Sequence, residues 1–179
     1  MDSRRSVTYL LSGAAVLAAC LFWVVNDAFT ERIVDVGQKA PEFRVVTESG
    51  KTITAQSFGG KLLVLNFWAT WCPPCVEETP SLNEMAREMA AQGVVVVAVS
   101  VDRNENSYKA FLQRMKVGFE TSRDPQSLIS ASFGTFKFPE TYVITPDGKV
   151  VEKYIANQNW TSADIIDSLQ HHLPNKPKS

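Results

Sequence analysis

Cysteine and histidine are scarce in this chain. Its 179 residues hold three cysteines and two histidines. Three cysteines cannot staple a disulfide-rich miniprotein, and they fall short of a four-cysteine structural zinc site. The histidines, His171 and His172, are neighbours near the carboxyl end, so no metal site and no bound cofactor is expected. Excess charge is missing as well. Lys plus Arg total 18 against 19 for Asp plus Glu, a net charge of -1. That gives no bulk attraction to nucleic acid, and none is expected as a partner. Repeats and low-complexity tracts are absent. With 45% hydrophobic and 21% charged residues, the composition is that of a globular chain. The length suits one domain with an appendage.

The appendage is amino-terminal. Val7 to Val25 carries no charge over nineteen residues. As a helix it would reach ~28 Å, about the hydrocarbon thickness of a bilayer. Arg4 and Arg5 precede it and Asp27 follows, which favours a cytoplasmic amino terminus. The expectation is a single-pass anchor over 7–25 after a cytoplasmic stub, 1–6. A linker, 26–35, then leads to an extracytoplasmic domain over 36–174, with a disordered tail at 175–179. The alternative is a lipoprotein attached through Cys20, because Leu17-Ala18-Ala19-Cys20 resembles a lipoprotein box. Against it, the apolar run continues from Leu21 to Val25.

The domain reads as alternating strands and helices. Phe43 to Val46 and Lys51 to Thr54 flank Glu48-Ser49-Gly50 as a hairpin. Lys61 to Phe67 and Gly93 to Val101 are continuous apolar runs, the mark of central strands covered on both faces. Between them Leu82, Met85, Ala86 and Met89 repeat at helical spacing in a helix over Pro73 to Gln92, which Pro80 should kink. Further helices are expected over Asn104 to Lys116, from Asp124 to about Phe133, and over Thr161 to Leu173. Thr141 to Thr145 and Val150 to Ile155 flank Pro146-Asp147-Gly148 as a second hairpin. The fold class is α/β: three layers, a mixed central sheet and an amino-terminal hairpin extension.

The sharpest chemical signal is Trp71-Cys72-Pro73-Pro74-Cys75, where a strand gives way to a helix. Cys72 falls at the helix amino terminus, whose unpaired N–H groups and dipole favour a thiolate. Cys75 lies one turn further in, close enough to close a disulfide with Cys72. Pro73 suits the first helical position, where its missing N–H costs nothing. No His stands between the sulfurs to favour the thiolate further, which points to a reductant.

Phe67-Trp68-Ala69-Thr70-Trp71-Cys72-Pro73-Pro74-Cys75 resembles the active-site segment of the thioredoxin superfamily. Val36-Gly37-Gln38-Lys39-Ala40-Pro41-Glu42-Phe43 and Gly60 to Trp68 narrow the resemblance to the TlpA/ResA/CcmG branch of membrane-tethered thiol–disulfide oxidoreductases. It covers about Val36 to Leu173. The resemblance implies that Cys72 attacks, that Cys75 resolves, and that Phe138-Pro139 is a cis-proline loop facing the disulfide. Trp71, Pro73, Pro74, Phe138 and Pro139 are then the partner-docking surface.

The branch also carries an acid at the place of Glu78, three residues after Cys75. Desolvation on the Leu82 and Met85 face would raise its pKa and suit it to accept the Cys75 proton. Many thioredoxins have a buried acid six residues before the first cysteine; here that residue is Asn66. Asn66, Trp68 and Trp160 read as structural. The implied partners are proteins with disulfides or thiols, such as apocytochrome c or a copper-site protein of an oxidase. The implied donor is a CcdA- or DsbD-like transmembrane thiol carrier. Three alternatives stand beside this. One is a disulfide oxidase or isomerase. Another is a copper chaperone, disfavoured by the short cysteine spacing. The last is a peroxiredoxin-like peroxidase, disfavoured because Ala69 stands where a Thr or Ser is needed.

Overall fold

A computed structural model of the chain describes residues 13–24 and 33–173. The chain divides between Arg32 and Ile33 into two units. In the first, residues 13–24 form helix α1, exposed along its described length. Among the described residues no helix is long and apolar enough to cross a membrane. The expected stub 1–6, part of the expected span (7–12 and Val25), the linker residues 26–32, Pro174 and the expected tail 175–179 lie outside the described residues.

The second unit is built on a five-stranded sheet. Strands β1 (Arg44–Val46) and β2 (Thr52–Thr54) form a separate antiparallel hairpin with Val45 opposite Ile53. The sheet itself contains β3 (Leu62–Trp68), β4 (Val94–Ser100), β5 (Glu120–Arg123), β6 (Glu140–Ile144) and β7 (Val150–Ile155). Their order is β5-β4-β3-β6-β7. The β3–β4 and β4–β5 pairs are parallel, while β3–β6 and β6–β7 are antiparallel. The helices are α2 (Pro73–Met89), α3 (Glu105–Arg114), α4 (Leu128–Ser132) and α5 (Ala163–His171).

The central position of β3 explains its sequence. Every residue of Leu-Leu-Val-Leu-Asn-Phe-Trp is buried, because both faces of the strand are covered. Leu63, Leu65 and Phe67 face one way and pack with Val45, Ile53 and Phe133, beneath the hairpin and α4. Leu62 and Val64 face the other way and meet Leu82, Met85 and Met89 of α2 and Leu169 of α5. Each of those large side chains contributes ~1.5–3 kcal/mol by leaving water. Trp68 continues this second face into a third cluster with Tyr108 and Phe111 of α3, Cys72 and Cys75. The two faces thus have different covers, and the site lies at the end of the helical one.

Three elements differ from the sequence expectation. Strand β5 is not expected, since Glu-Thr-Ser-Arg shows neither an apolar run nor alternation. It forms because it is the sheet's edge, where only β4 pairs with it and polar side chains find water or partners. Helix α4 is shorter than Asp124 to Phe133 because Asp124 sits outside it, accepting from the Leu128 and Ile129 N–H groups at 3.1 and 2.7 Å. Helix α2 includes Pro80 and stops at Met89, short of the expected Gln92. It ends in a 3-10 turn, Ala90–Gln92, and Gly93 closes it with a positive φ of 101° that suits glycine.

Candidate active site

The site assembles where β3 and β4 end and β6 begins, near the start of α2. Pro73 and Pro74 occupy the first two helical positions and have no N–H to offer. The first free donor of α2 is therefore Cys75 N–H, and it reaches Cys72 Sγ at 3.3 Å. Cys72 is the cap residue of the helix, so its sulfur takes the place usually filled by a Ser or Asp oxygen. Cys72 and Cys75 are joined by a disulfide, S–S 2.11 Å, with their Cα atoms 5.3 Å apart. Both are buried, at 5% and 1% exposure.

The loop before the cysteines is tied to β4. Asp102, just past that strand, accepts from Thr70 N–H at 2.8 Å and Thr70 Oγ1 at 2.7 Å. Ser100 Oγ donates to it at 2.6 Å. These bonds fix Thr70, and with it the direction in which Trp71 leaves the backbone. Trp71 is 64% exposed and meets the Phe138 ring edge-on at 6.1 Å. Phe138 in turn packs on the cluster that holds both cysteines. The Phe138–Pro139 bond is cis, and the Pro139 carbonyl accepts from Ala156 N–H at 3.1 Å. A groove of about 610 Å³ opens beside these rings, lined among others by Trp71, Asp102, Arg103, Phe136 and Phe138. Phe136 is 63% exposed, so Trp71, Phe136 and Phe138 give the groove an aromatic lining.

Glu78 lies one turn of α2 beyond Cys75 and is only 3% exposed. Burial pushes its carboxyl above the usual range, and three N–H donors pull it partway back. Gln158 N–H donates to Oε2 at 3.1 Å and Trp160 Nε1 donates to the same oxygen at 3.2 Å. Asn66 Nδ2 donates to Oε1 at 2.9 Å. By contrast Glu77 is turned outward to Asn157. Reading Asn66 and Trp160 as merely structural misses this arrangement. A signal is present for Asn66, a lone polar residue in a strand buried on both faces, which must find a partner. Asp102 is missed as well, and nothing in its sequence neighbourhood announces it. Among the described residues no cluster of three His, Cys, Asp or Glu side chains is placed to hold a metal ion.

Comparison with known proteins gives this geometry its context. Residues 36–153 match the model of the AhpC/TSA family. Over 141 residues the chain is 35% identical to a thiol-disulfide oxidoreductase ResA of Bacillus cereus, covering 79% of this chain and 80% of that one. The chain belongs to the AhpC/TSA family, among its ResA-type thiol–disulfide oxidoreductases. A second ResA, from another strain of Bacillus cereus, is 33% identical over 172 residues, 96% of this chain and 95% of that one. A crystal structure of a putative thiol:disulfide interchange protein DsbE from Chlorobium tepidum superposes with a TM-score of 0.69. The identity is 27%, over 76% of this chain and 99% of that one. The fold of the ResA-type domain is thus thioredoxin-like, and the enzyme acts on protein thiols and disulfides.

Proposed function

We propose that this ResA-type enzyme reduces disulfides of partner proteins outside the cytoplasm. Cys72 is the attacking sulfur, Cys75 the resolving one and Glu78 the proton acceptor. The observation that carries the reading is the closed Cys72–Cys75 pair at the cap of α2 with a buried carboxylate one turn on. In the reduced enzyme the Cys72 thiolate attacks one sulfur of a partner disulfide. A mixed disulfide forms and one partner thiolate leaves. Cys75 gives its proton to Glu78 and attacks Cys72 Sγ. The Cys72–Cys75 bond closes, and the second partner thiolate leaves and takes up a proton. Two electrons pass to the partner, the Cys75 proton passes by way of Glu78 to the second partner thiolate, and the first takes its proton from water; the enzyme ends in the oxidised state described above.

Trp71, Phe138 and Pro139, with Pro73 and Pro74 at the helix start, dock the partner. The exposed Trp71 ring and its contact with Phe138 support that role. The substrates proposed are the cysteines of apocytochrome c before haem attachment, or those of an oxidase copper site. Both present paired thiols that oxidise outside the cytoplasm. A transmembrane thiol carrier of the CcdA or DsbD kind returns the electrons. The uncharged run Val7 to Val25 behind Arg4 and Arg5 supports an anchor that places the domain, from about residue 36, on that side of the membrane. The apolar residues after Cys20 favour this anchor over lipid attachment.

The test is the midpoint potential of the pair, together with trapping by Cys75→Ser. A potential near or below about -200 mV fits a reductant, whereas one near about -120 mV reverses the assigned electron flow. Cys75→Ser is expected to accumulate mixed disulfides through Cys72. Absence of any adduct would remove Cys72 as the attacking sulfur.

A further inference from the structure

Asn66 is the one polar side chain of β3, and it is 2% exposed. Its Nδ2 carries two hydrogens and both are used. One goes to Glu78 Oε1 at 2.9 Å and the other to Thr141 Oγ1 at 2.8 Å. Trp160 is fully buried, with its ring packed edge-on against Tyr154 at 5.3 Å. Its only polar side-chain atom, Nε1, donates to Glu78 Oε2. The two carboxylate oxygens are therefore held from β3 and from the loop between β7 and α5. Neither an indole N–H nor an amide NH₂ can accept a hydrogen bond. Such a cradle suits a carboxylate that carries its charge rather than its proton.

We propose that Asn66 and Trp160 are positioning residues of the exchange reaction, which hold the Glu78 carboxylate ionised and fixed one turn from Cys75. The inference rests on the reading of Glu78 as the proton acceptor. Thr141 follows Pro139 by two residues, so Asn66 also ties the acid to the strand that begins at the proposed docking loop. The surrounding charges point elsewhere. Glu77 on α2 turns to Asn157. Glu140 on β6 alternates with Thr141 and lies on the opposite face, paired with Lys153 of β7. The Tyr154 hydroxyl on β7 donates to Glu152. An amide at position 66 also has a chemical reason. An aspartate there would set a second carboxylate against Glu78, and two such groups in a buried site share a proton.

The test follows the full chain in detergent micelles, using a cyclic disulfide-bonded peptide as oxidant and fluorescence as the readout. Rates of Cys72–Cys75 closure are measured from acid to alkaline pH for wild type, Trp160→Phe and Asn66→Asp, each with and without Glu78→Gln. Trp160→Phe keeps an aromatic ring and removes the donor; Asn66→Asp keeps the shape and replaces the donor by an acid. Both are expected to move the rising acid limb to higher pH. At pH values on that limb Trp160→Phe is expected to be roughly tenfold slower, the size of one hydrogen bond to a charged group. Once Glu78 is Gln, Trp160→Phe is expected to leave the profile unchanged, whereas Asn66→Asp brings a buried acid of its own and is expected to restore an acid limb. If Glu78→Gln alone leaves the profile unchanged, the reading of Glu78 fails. If Glu78→Gln removes the limb while the other two leave it in place, the positioning role fails. A uniform slowing at every pH, with or without Glu78, also overturns it. Should Asn66→Asp not fold, Trp160→Phe decides alone.

Discussion

Trp160 reaches Glu78 across 82 residues of sequence, its indole N–H donating to the carboxylate at 3.2 Å. The bond joins the loop before α5 to the helix that starts at Cys72. Ser81 reinforces the same junction, accepting from Trp160 N–H at 3.2 Å. The final helix and the helix bearing the disulfide are thereby held as one body around a buried acid. A charge kept so far from water has consequences that can be measured.

The first concerns stability against pH. Burial raises the Glu78 carboxyl in the folded protein above its unfolded value. The folded state then binds that proton more tightly than the unfolded chain. Its stabilising share is present below the unfolded pKa and is lost as pH rises through the folded one. Oxidised wild type is expected to lose denaturant stability across that interval. Glu78→Gln is expected to show a flatter dependence there. Identical slopes in the two proteins would mean that Glu78 does not titrate differently on folding.

A second prediction separates docking from folding. Trp71 is 64% exposed, so Trp71→Ala removes little buried surface. Its effect on stability is expected within ~0.5 kcal/mol. Its reaction with a folded protein disulfide is expected to slow several-fold, while reduction by a small dithiol proceeds as before. Equal rates with the protein partner would exclude Trp71 from the docking surface.

A third concerns the pair beside the cis-proline. Lys153 Nζ lies 2.9 Å from Glu140 Oε1, with side-chain exposures of 10% and 9%. Burial is the largest single influence and would lower the Lys153 pKa, but Glu140 and Tyr142 together outweigh it and raise the pKa above the usual lysine range. Lys153 also donates to the Val34 carbonyl at 3.0 Å. Lys153→Met strands the Glu140 charge and is expected to cost ~3–5 kcal/mol, seen as a fall in Tm. The double variant Lys153→Met, Glu140→Leu is expected to recover much of that loss. No recovery would show that the lysine acts through Val34 rather than through the pair.

Features that depend on neighbours in the chain are legible before any folding is considered. The apolar runs of β3 and β4 require central strands, because residues apolar on both faces must be covered on both. The spacing Cys72-Pro73-Pro74-Cys75 at a strand-to-helix step puts a sulfur on a helix cap, because proline tolerates the first turn and leaves the first N–H to Cys75. The turn residues from Pro146 to Gly148 make a hairpin, with Gly148 at a φ of 81°. Other features exist only once distant segments meet. Glu120–Arg123 becomes a strand because β4 offers an unpaired edge, a property of the sheet and not of those four residues. Asp102 secures the Thr70 loop because β4 ends beside it, 32 residues away in sequence. Glu78 is one acid among several on α2 until β3 and the loop before α5 close over it. Its place on the Leu82 and Met85 face is legible locally, but its three donors come from residues 12 to 82 positions distant, and no local pattern encodes contacts of that range.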